Sequence, residues 1–321
     1  MVLKEFEEEE LKKLFKPHKN STKADNGQVT IIGGSELFHG APIFALKTAS
    51  RIVDMVFFSS PEPSIKGVAE KMKSKLSSFI WVPFEEIEEY IKKADAILIG
   101  PGLMRYRGET EDRKQKTENR KVWDVVGRKT KEMTERLLKE FPNKQWVIDA
   151  GSLQVMEAKY ISPKAILTPN EKELRLLFGA EVGWRLNESS NASVPSGYGP
   201  PVGGPSEDIA SRQPSPRQIM DIAQKYDCII VFKNIETFIC SSKEGVVVKG
   251  GNAGLTKGGT GDVLAGLIVA LAAKNPPFLA ACAGAYLTKK AADELYKKVG
   301  FAYNADDLAE EIPRILGEYW R

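Results

Sequence analysis

The chain has 321 residues, 42% of them apolar, with 46 Lys and Arg against 43 Asp and Glu for a formal net charge of +3. That length suits one large α/β domain or two ordinary ones; no apolar run nears the ~18 residues of a membrane-spanning helix, and the charge excess is too small to argue for a nucleic-acid partner. Cys228, Cys240 and Cys282 show no CxxC spacing and the histidines are only His18 and His39, which argues against a disulfide framework and a Cys/His zinc site.

The first sixteen residues are charged throughout and hold no signal-peptide core, so a cytoplasmic setting is expected and the sequons at Asn20, Asn187 and Asn191 are read as coincidence. Their acidic run at 7–10 reads as the solvated face of a terminal helix. A β-branched apolar run predicts a strand at 28–32, followed by helical spacing over 41–52, a strand at 55–59, a helix over 84–93 and a strand at 96–99. Charge dominates 105–121, read as a solvated excursion. A helix over 122–140, strands at 146–150 and 165–168, and a helix over 172–178 resume the alternation. Segment 187–216 holds 7 Ser, 4 Gly and 6 Pro, a composition read as a flexible insertion within one domain spanning 1–321, because the helix from 216 leads back into a strand at 228–233. Then 237–241 and 246–249 flank Lys243-Glu244-Gly245, an antiparallel edge hairpin. Helices over 260–273, 278–298 and 306–319 complete the chain. Strand and helix alternating in this order predict an α/β fold whose mostly parallel sheet is covered on both faces. Trp81, Trp146 and Trp184 are expected to pack in the core or at its edges.

Chemistry concentrates in the glycine-rich run from Gly250 to Asp262, which opens the apolar helix at 260–273. Glycines permit a tight turn, and the exposed amides of a helix start, with its dipole, form a phosphate cradle from Gly258, Gly259, Thr260 and Gly261. Asp262 at the end of that turn is placed to take a proton from a hydroxyl while the amides stabilise a transferring phosphoryl group. Two further glycine loops, Gly33-Gly34-Ser35 to Gly40-Ala41-Pro42 and Gly100-Pro101-Gly102-Leu103, follow strands, where open α/β sheets line their ligand crevice. In Thr168-Pro169-Asn170-Glu171-Lys172-Glu173, Asn170 and Glu173 stand one turn apart. That spacing suits holding Mg²⁺ through water, and equally suits a helix-capping box. His18 and His39 lack any surrounding constellation and read as loop residues.

Taken in order, Gly33-Gly34-Ser35 with Gly40-Ala41-Pro42, Gly100-Pro101-Gly102-Leu103, Asp149-Ala150, Thr168-Pro169 with Glu173, and Gly258-Gly259-Thr260-Gly261-Asp262-Val263-Leu264-Ala265-Gly266 resemble the NAD(P)H-hydrate dehydratase family of the ribokinase-like superfamily, over 27–292 or about four-fifths of the chain. The resemblance implies a three-layer α/β/α sandwich. It also implies dehydration of hydrated NADH or NADPH driven by ADP or ATP with Mg²⁺, a homo-oligomer, and no room for the epimerase domain that usually accompanies the family. It assigns Asp262 as catalytic base and substrate contact, and sets Ala41, Gly102 and Asn170 against the hydrated dinucleotide. Gly261 becomes a nucleotide contact, and Lys233, Asn234, Ile235, Glu236 and Thr237 a nucleotide-binding segment. Three positions depart from the family pattern: Asn170 stands where His is usual, Asp149-Ala150 continues Gly151-Ser152 rather than Asp-Ala, and Gly102-Leu103 is not followed by Gly. Thr168-Pro169-Asn170 resembles sugar kinases of the superfamily, so a small-molecule kinase is the alternative enzyme. A nucleotide-binding protein without catalysis is the alternative from another class.

Overall fold

Apolar residues that alternate along the central strands become two separate cores in the computed structural model, which describes residues 3–105, 125–179 and 214–321. The strands are β1 (Lys4–Glu5), β2 (Gln28–Ile32), β3 (Met55–Ser59), β4 (Ile80–Trp81), β5 (Ala96–Ile99), β6 (Gln145–Ile148), β7 (Ile166–Leu167), β8 (Ile229–Phe232), β9 (Thr237–Cys240) and β10 (Gly245–Val248). They form one sheet in the order β1-β10-β9-β8-β7-β6-β5-β2-β3-β4. From β8 to β4 every pairing is parallel. β9 runs antiparallel to both β8 and β10, and β1 adds a parallel pairing beyond the hairpin.

The helices are α1 (Gly40–Ala49), α2 (Ser64–Met72), α3 (Ile87–Lys93), α4 (Val125–Glu140), α5 (Ala150–Val155), α6 (Glu171–Phe178), α7 (Pro216–Lys225), α8 (Thr260–Ala272), α9 (Pro277–Val299) and α10 (Ala305–Trp320). Val29, Ile31, Ala96, Leu98, Val147, Ile166, Ile229 and Val231 point into the core under α1, α2, α8, α9 and α10. Their neighbours Ile97, Ile99, Trp146, Ile148, Leu167, Ile230 and Phe232 point into the core under α3, α4, α6 and α7. This period-two division makes the three-layer α/β/α sandwich expected from the sequence. No helix among the described residues is long and apolar enough to cross a membrane.

α8 is the central helix of its layer, buried almost all round between α1 and α9. Its Gly266 lies so close to α1 that a Cβ there would stand 2.6 Å from the Ala45 Cα and carbonyl oxygen. This close helix contact sets α8 beside the sheet.

Several elements differ from the predicted ones. The strand expected over 146–150 ends at Ile148: Asp149 is still extended and its amide donates to the Ile99 carbonyl, but it is the N-cap residue of the short α5, and the chain turns at Ala150, whose φ is +45°. β1 and β4, at two residues each, are too short to show alternation. The acidic run at 7–10 does face solvent near the terminus, but on a short 3-10 helix, Glu8–Lys13, that follows β1 and buries Leu11. Glu8 accepts from Lys290 (2.7 Å), Tyr286 (2.8 Å) and Tyr319, bonds that pull its carboxyl down to about 2. Trp146 is fully buried and donates to the Phe141 carbonyl, and Trp81 packs against the first core. Residues 106–121 of the charged segment, 187–213 of the Ser/Gly/Pro-rich segment, and Trp184 lie outside the described residues.

Gly266→Ala should lower the free energy of unfolding by about 1–3 kcal/mol, since the extra methyl meets main chain that cannot rotate away. Denaturant melts check this, and an unchanged midpoint would contradict the close α1–α8 contact.

Candidate active site

Parallel strands deliver their carboxyl ends to one edge of the sheet, where β2, β5, β6, β7 and β8 each release a loop. The Gly34 amide after β2 donates to the Pro101 carbonyl after β5 (2.8 Å), and the Gly151 amide donates to the Gly100 carbonyl (3.3 Å). Gly102 has φ +71°, and a Cβ there would lie 2.5 Å from the Phe38 carbonyl oxygen and 3.2 Å from the Ala41 side chain. Only glycine meets both conditions. Ala41 and Gly102, both assigned to substrate by the resemblance, are therefore brought together.

Next to them lies a buried charge cluster. Lys233 follows β8, and its Nζ donates to Asp149 Oδ1 (2.9 Å) and stands 3.7 Å from Glu173 Oε2. The Lys233 side chain is 21% exposed, against 2% for Asp149. Thr168 Oγ1 also donates to Asp149 Oδ1, at 2.7 Å. Glu173 is held at both oxygens: the Asn170 amide donates to Oε2 (2.9 Å) and Gln154 Nε2 to Oε1 (3.1 Å). Asn170 Oδ1 in turn accepts from the Glu173 amide, completing a capping box on α6. Arg105 Nη1 donates to Gln154 Oε1 (3.0 Å), linking the glycine loop after β5 to this network.

The glycine turn before α8 closes the site. Gly259 has φ +95°, and a Cβ would come within 2.5 Å of the Phe44 ring and 2.8 Å of Ala305. The Thr260 hydroxyl, 2.6 Å from the Leu255 carbonyl oxygen and 2.9 Å from that of Lys257, ties the turn internally. A Cβ on Gly258 would meet nothing within 4 Å, so the turn is open on that side. The first amides of α8 have no acceptor within the helix and carry its positive dipole end. The Lys233 ammonium lies 3.5 Å from where a Gly261 Cβ would be, which places the cation against the start of α8.

Asp262 sits in that first turn. Burial, then the nearby Asp149 and Glu173 carboxylates, push its carboxyl up to about 7, with Lys233 working the other way. Burial disfavours the Lys233 ammonium, but Asp149, Glu173 and Asp262 outweigh it and raise its pKa, so it stays charged. A carboxyl pushed up toward neutrality can accept a hydroxyl proton, and a helix start beside it can stabilise the oxyanion that follows through its dipole and any amide left free.

Of the residues singled out from sequence, Ala41, Gly102, Asn170, Glu173, Lys233, Gly261 and Asp262 come together at the carboxyl end of the sheet, while Thr260 is committed to holding the turn. Beyond Lys233 and Asn234, Ile235 and Glu236 are exposed in the bend and Thr237 is the buried first residue of β9. His18 is exposed, and His39 directly precedes α1, so neither joins the network. Sequence reasoning missed Gln154 and Arg105 and gave Asp149 no role. Its place directly after a buried strand was the available signal.

The sequence profile of the NAD(P)H-hydrate dehydratase family matches residues 29–314. The bifunctional NAD(P)H-hydrate repair enzyme of Methanocaldococcus jannaschii is 32% identical over 315 residues, covering 96% of this chain and 51% of that protein. This chain thus spans about half the length of the bifunctional relatives it matches. The ADP-dependent (S)-NAD(P)H-hydrate dehydratase of Cenarchaeum symbiosum is 26% identical over 306 residues, covering 94% of this chain and 93% of that one. Among solved structures, the ADP/ATP-dependent NAD(P)H-hydrate dehydratase of Bacillus subtilis co-crystallised with ATP/Mg²⁺ shares the fold, with TM-score 0.69 and 18% identity over 99% of both chains. A ribokinase-like superfamily protein of Enterococcus faecalis gives TM-score 0.72 and 19% identity over 99% of this chain and 96% of its own. The profile match runs from β2 into α10 and takes in Ala41, Gly102, Asp149, Asn170, Glu173, Lys233 and Asp262: the chain belongs to the NAD(P)H-hydrate dehydratase family.

Proposed function

We propose that this chain repairs hydrated NADH and NADPH by nucleotide-dependent dehydration, with ADP or ATP as phosphoryl donor. The observation that carries the reading is the place of Asp262: a half-buried carboxyl in the first turn of α8, its pKa pushed up to about 7 by burial and by crowding from Asp149 and Glu173, inside the sequence shared with the dehydratases. The names of the relatives support the substrate and the nucleotide. A cytoplasmic homo-oligomer belongs to the same reading and rests on the family resemblance.

Hydroxide is a poor leaving group from the hydrated nicotinamide ring. Asp262 takes the proton of the ring hydroxyl as its oxygen attacks the terminal phosphorus of the nucleotide, and the bond to the bridging oxygen breaks. The amides of Gly258, Gly259 and Gly261 hold the transferring group, and Lys233 balances charge beside them. The ring nitrogen's lone pair then expels phosphate, and loss of a neighbouring ring proton restores the double bond. Asn170 caps α6 through its carbonyl oxygen, which leaves its NH₂ group free to serve as a donor to the dinucleotide.

Among the described residues no group of three or more His, Cys, Asp or Glu side chains could hold a metal ion. Magnesium is usually carried by substrate phosphates and keeps several waters. Glu173 fits a contact through such a water, because each of its carboxylate oxygens accepts one strong hydrogen bond and retains lone-pair capacity. Bound there, the ion would neutralise charge on the phosphates.

Asp262→Asn keeps the side chain's size and removes the base. Its kcat should fall by roughly 10²–10⁴-fold while nucleotide affinity, read by calorimetry on the same preparation, stays near that of the wild type. Turnover at the wild-type rate with normal nucleotide binding would remove Asp262 from the mechanism.

The pH dependence has a defined sign. Activity requires the Asp262 carboxylate, so kcat/KM should climb as pH rises through about 7 and then level off. Because the folded-state pKa lies above the ordinary 3.8, the folded protein holds the extra proton between 3.8 and about 7, and this group's contribution to stability falls as pH rises through that window. Asp262→Asn lacks the penalty, so its melting temperature relative to wild type should gain steadily from pH 4 to pH 7. A difference independent of pH would contradict the burial and charge crowding assigned to Asp262.

A further inference from the structure

Two turns border the nucleotide segment with little apolar anchoring. The bend between β8 and β9 leaves Ile235 89% exposed and Glu236 exposed, and the turn after β10 leaves Lys249 and Gly250 exposed. Thr237 pairs with Val248, so the antiparallel hairpin brings both turns to the same end, next to the carboxyl end of β8. The second turn leads through the 3-10 turn Ala253–Thr256 into the glycine turn and Asp262. Segments with so little burial hold one geometry only where polar bonds impose it.

Both turns converge on one side chain of α9. Lys289 is 6% exposed, and its Nζ donates to the Ile235 carbonyl (2.5 Å) and to the Gly250 carbonyl (2.9 Å). Its stem packs against Gly251, where a Cβ would come within 3.0 Å of Lys289 Cγ. One helical turn further on, Asp293 accepts from the Gly251 amide (2.9 Å) and from Asn252 Nδ2 (3.2 Å). Lys289 and Asp293, four residues apart, therefore grip the two turns from below. Lys289 makes no ion pair within 4 Å among the described residues; its bonded partners are neutral carbonyls. Burial lowers its pKa, against the influence of Asp293 and Glu236. Placing an ammonium here costs solvation, and what it secures is the relative position of two solvent-facing turns.

We propose that Lys289 is a positioning residue for the nucleotide: by bonding Ile235 and Gly250 together it sets the spacing between the 233–237 segment and the entry to the phosphate-binding turn. The proposal rests on reading 233–237 as the nucleotide segment. Lys289 does not touch the reacting atoms. Its loss therefore acts on nucleotide binding and leaves the chemical step, run at saturating nucleotide, close to the wild-type rate.

The test compares Lys289→Met, which removes both bonds, with Lys289→Gln, whose NH₂ group can still donate. ADP and ATP dissociation constants are measured by calorimetry. KM for nucleotide and for hydrated NADH, kcat and the melting temperature are measured on the same proteins. Lys289→Met should raise the nucleotide dissociation constant and KM by roughly tenfold or more, the scale of one charge-assisted hydrogen bond. Its kcat and its KM for hydrated NADH should stay within about threefold of wild type, as befits a residue that contacts neither the ring nor the transferring group. Lys289→Gln should recover part of the affinity, and it alone decides the matter if Lys289→Met does not fold. Unchanged nucleotide affinity in a folded variant would overturn the proposal. So would equal losses for both substrates that merely follow the melting temperature. A wild-type protein that binds neither ADP nor ATP would overturn the reading of 233–237 and this proposal with it, which separates that failure from one specific to Lys289.

Discussion

One half-buried ammonium, Lys233, stands among three carboxylates at the carboxyl end of the sheet, and the rest of the site depends on that imbalance. Lys233 bonds Asp149 at 2.9 Å and lies 3.7 Å from Glu173, so its charge is largely engaged by groups that cannot leave the protein interior. Asp262 is the carboxyl left over, and burial together with its two neighbours moves its titration to about 7. A fully compensated cluster would leave Asp262 ionised at all working pH values and a weak base. Without Lys233, Asp149 would be a buried charge with no cation, which typically costs about 3–5 kcal/mol.

The fold supplies this arrangement through its connections. Asp149, Thr168 and Lys233 follow three neighbouring parallel strands, β6, β7 and β8, so consecutive strand ends set them side by side. The opposing wall comes from α8, held against α1 through Gly266 and against α9, where a Cβ on Gly284 would stand 2.5 Å from Ile268. Helix packing at main-chain distance leaves little freedom to slide, so the α8 amides and Asp262 keep their station relative to the strand ends. The glycine loops after β2 and β5 are tied to each other by backbone bonding, the Gly34 amide donating to the Pro101 carbonyl.

Much of this was legible in the sequence, for physical reasons that differ by element. β2, β5, β6 and β8 are buried on both faces, so their apolar runs stand out, and Gly258 to Asp262 stands out because only glycine tolerates Gly259's backbone and crowding. Asn170 and Glu173 were readable as a cap or as metal-facing groups; the capping box forms, and it occupies the side-chain oxygen of Asn170 while leaving Glu173 with lone pairs. What stayed hidden depends on tertiary partners. Asp149 matters through Thr168 and Lys233, distant in sequence, and Gln154 sits on a six-residue helix with no periodicity to reveal it. Lys289 with Asp293 has the spacing of an ordinary surface ion pair, and only the folded chain shows the lysine buried under two turns.

The central claim is that Asp262 and the α8 turn transfer a phosphoryl group to a hydrated nicotinamide ring, which then eliminates it. The most direct measurement incubates hydrated NADH with the protein, Mg²⁺ and either ADP or ATP, following inorganic phosphate and the absorbance of reduced nicotinamide together. The account predicts that both appear at the same rate and in equal amounts, and that neither appears without nucleotide. A stable phosphorylated product with no phosphate released, or nucleotide binding with no turnover of hydrated NADH, would contradict it.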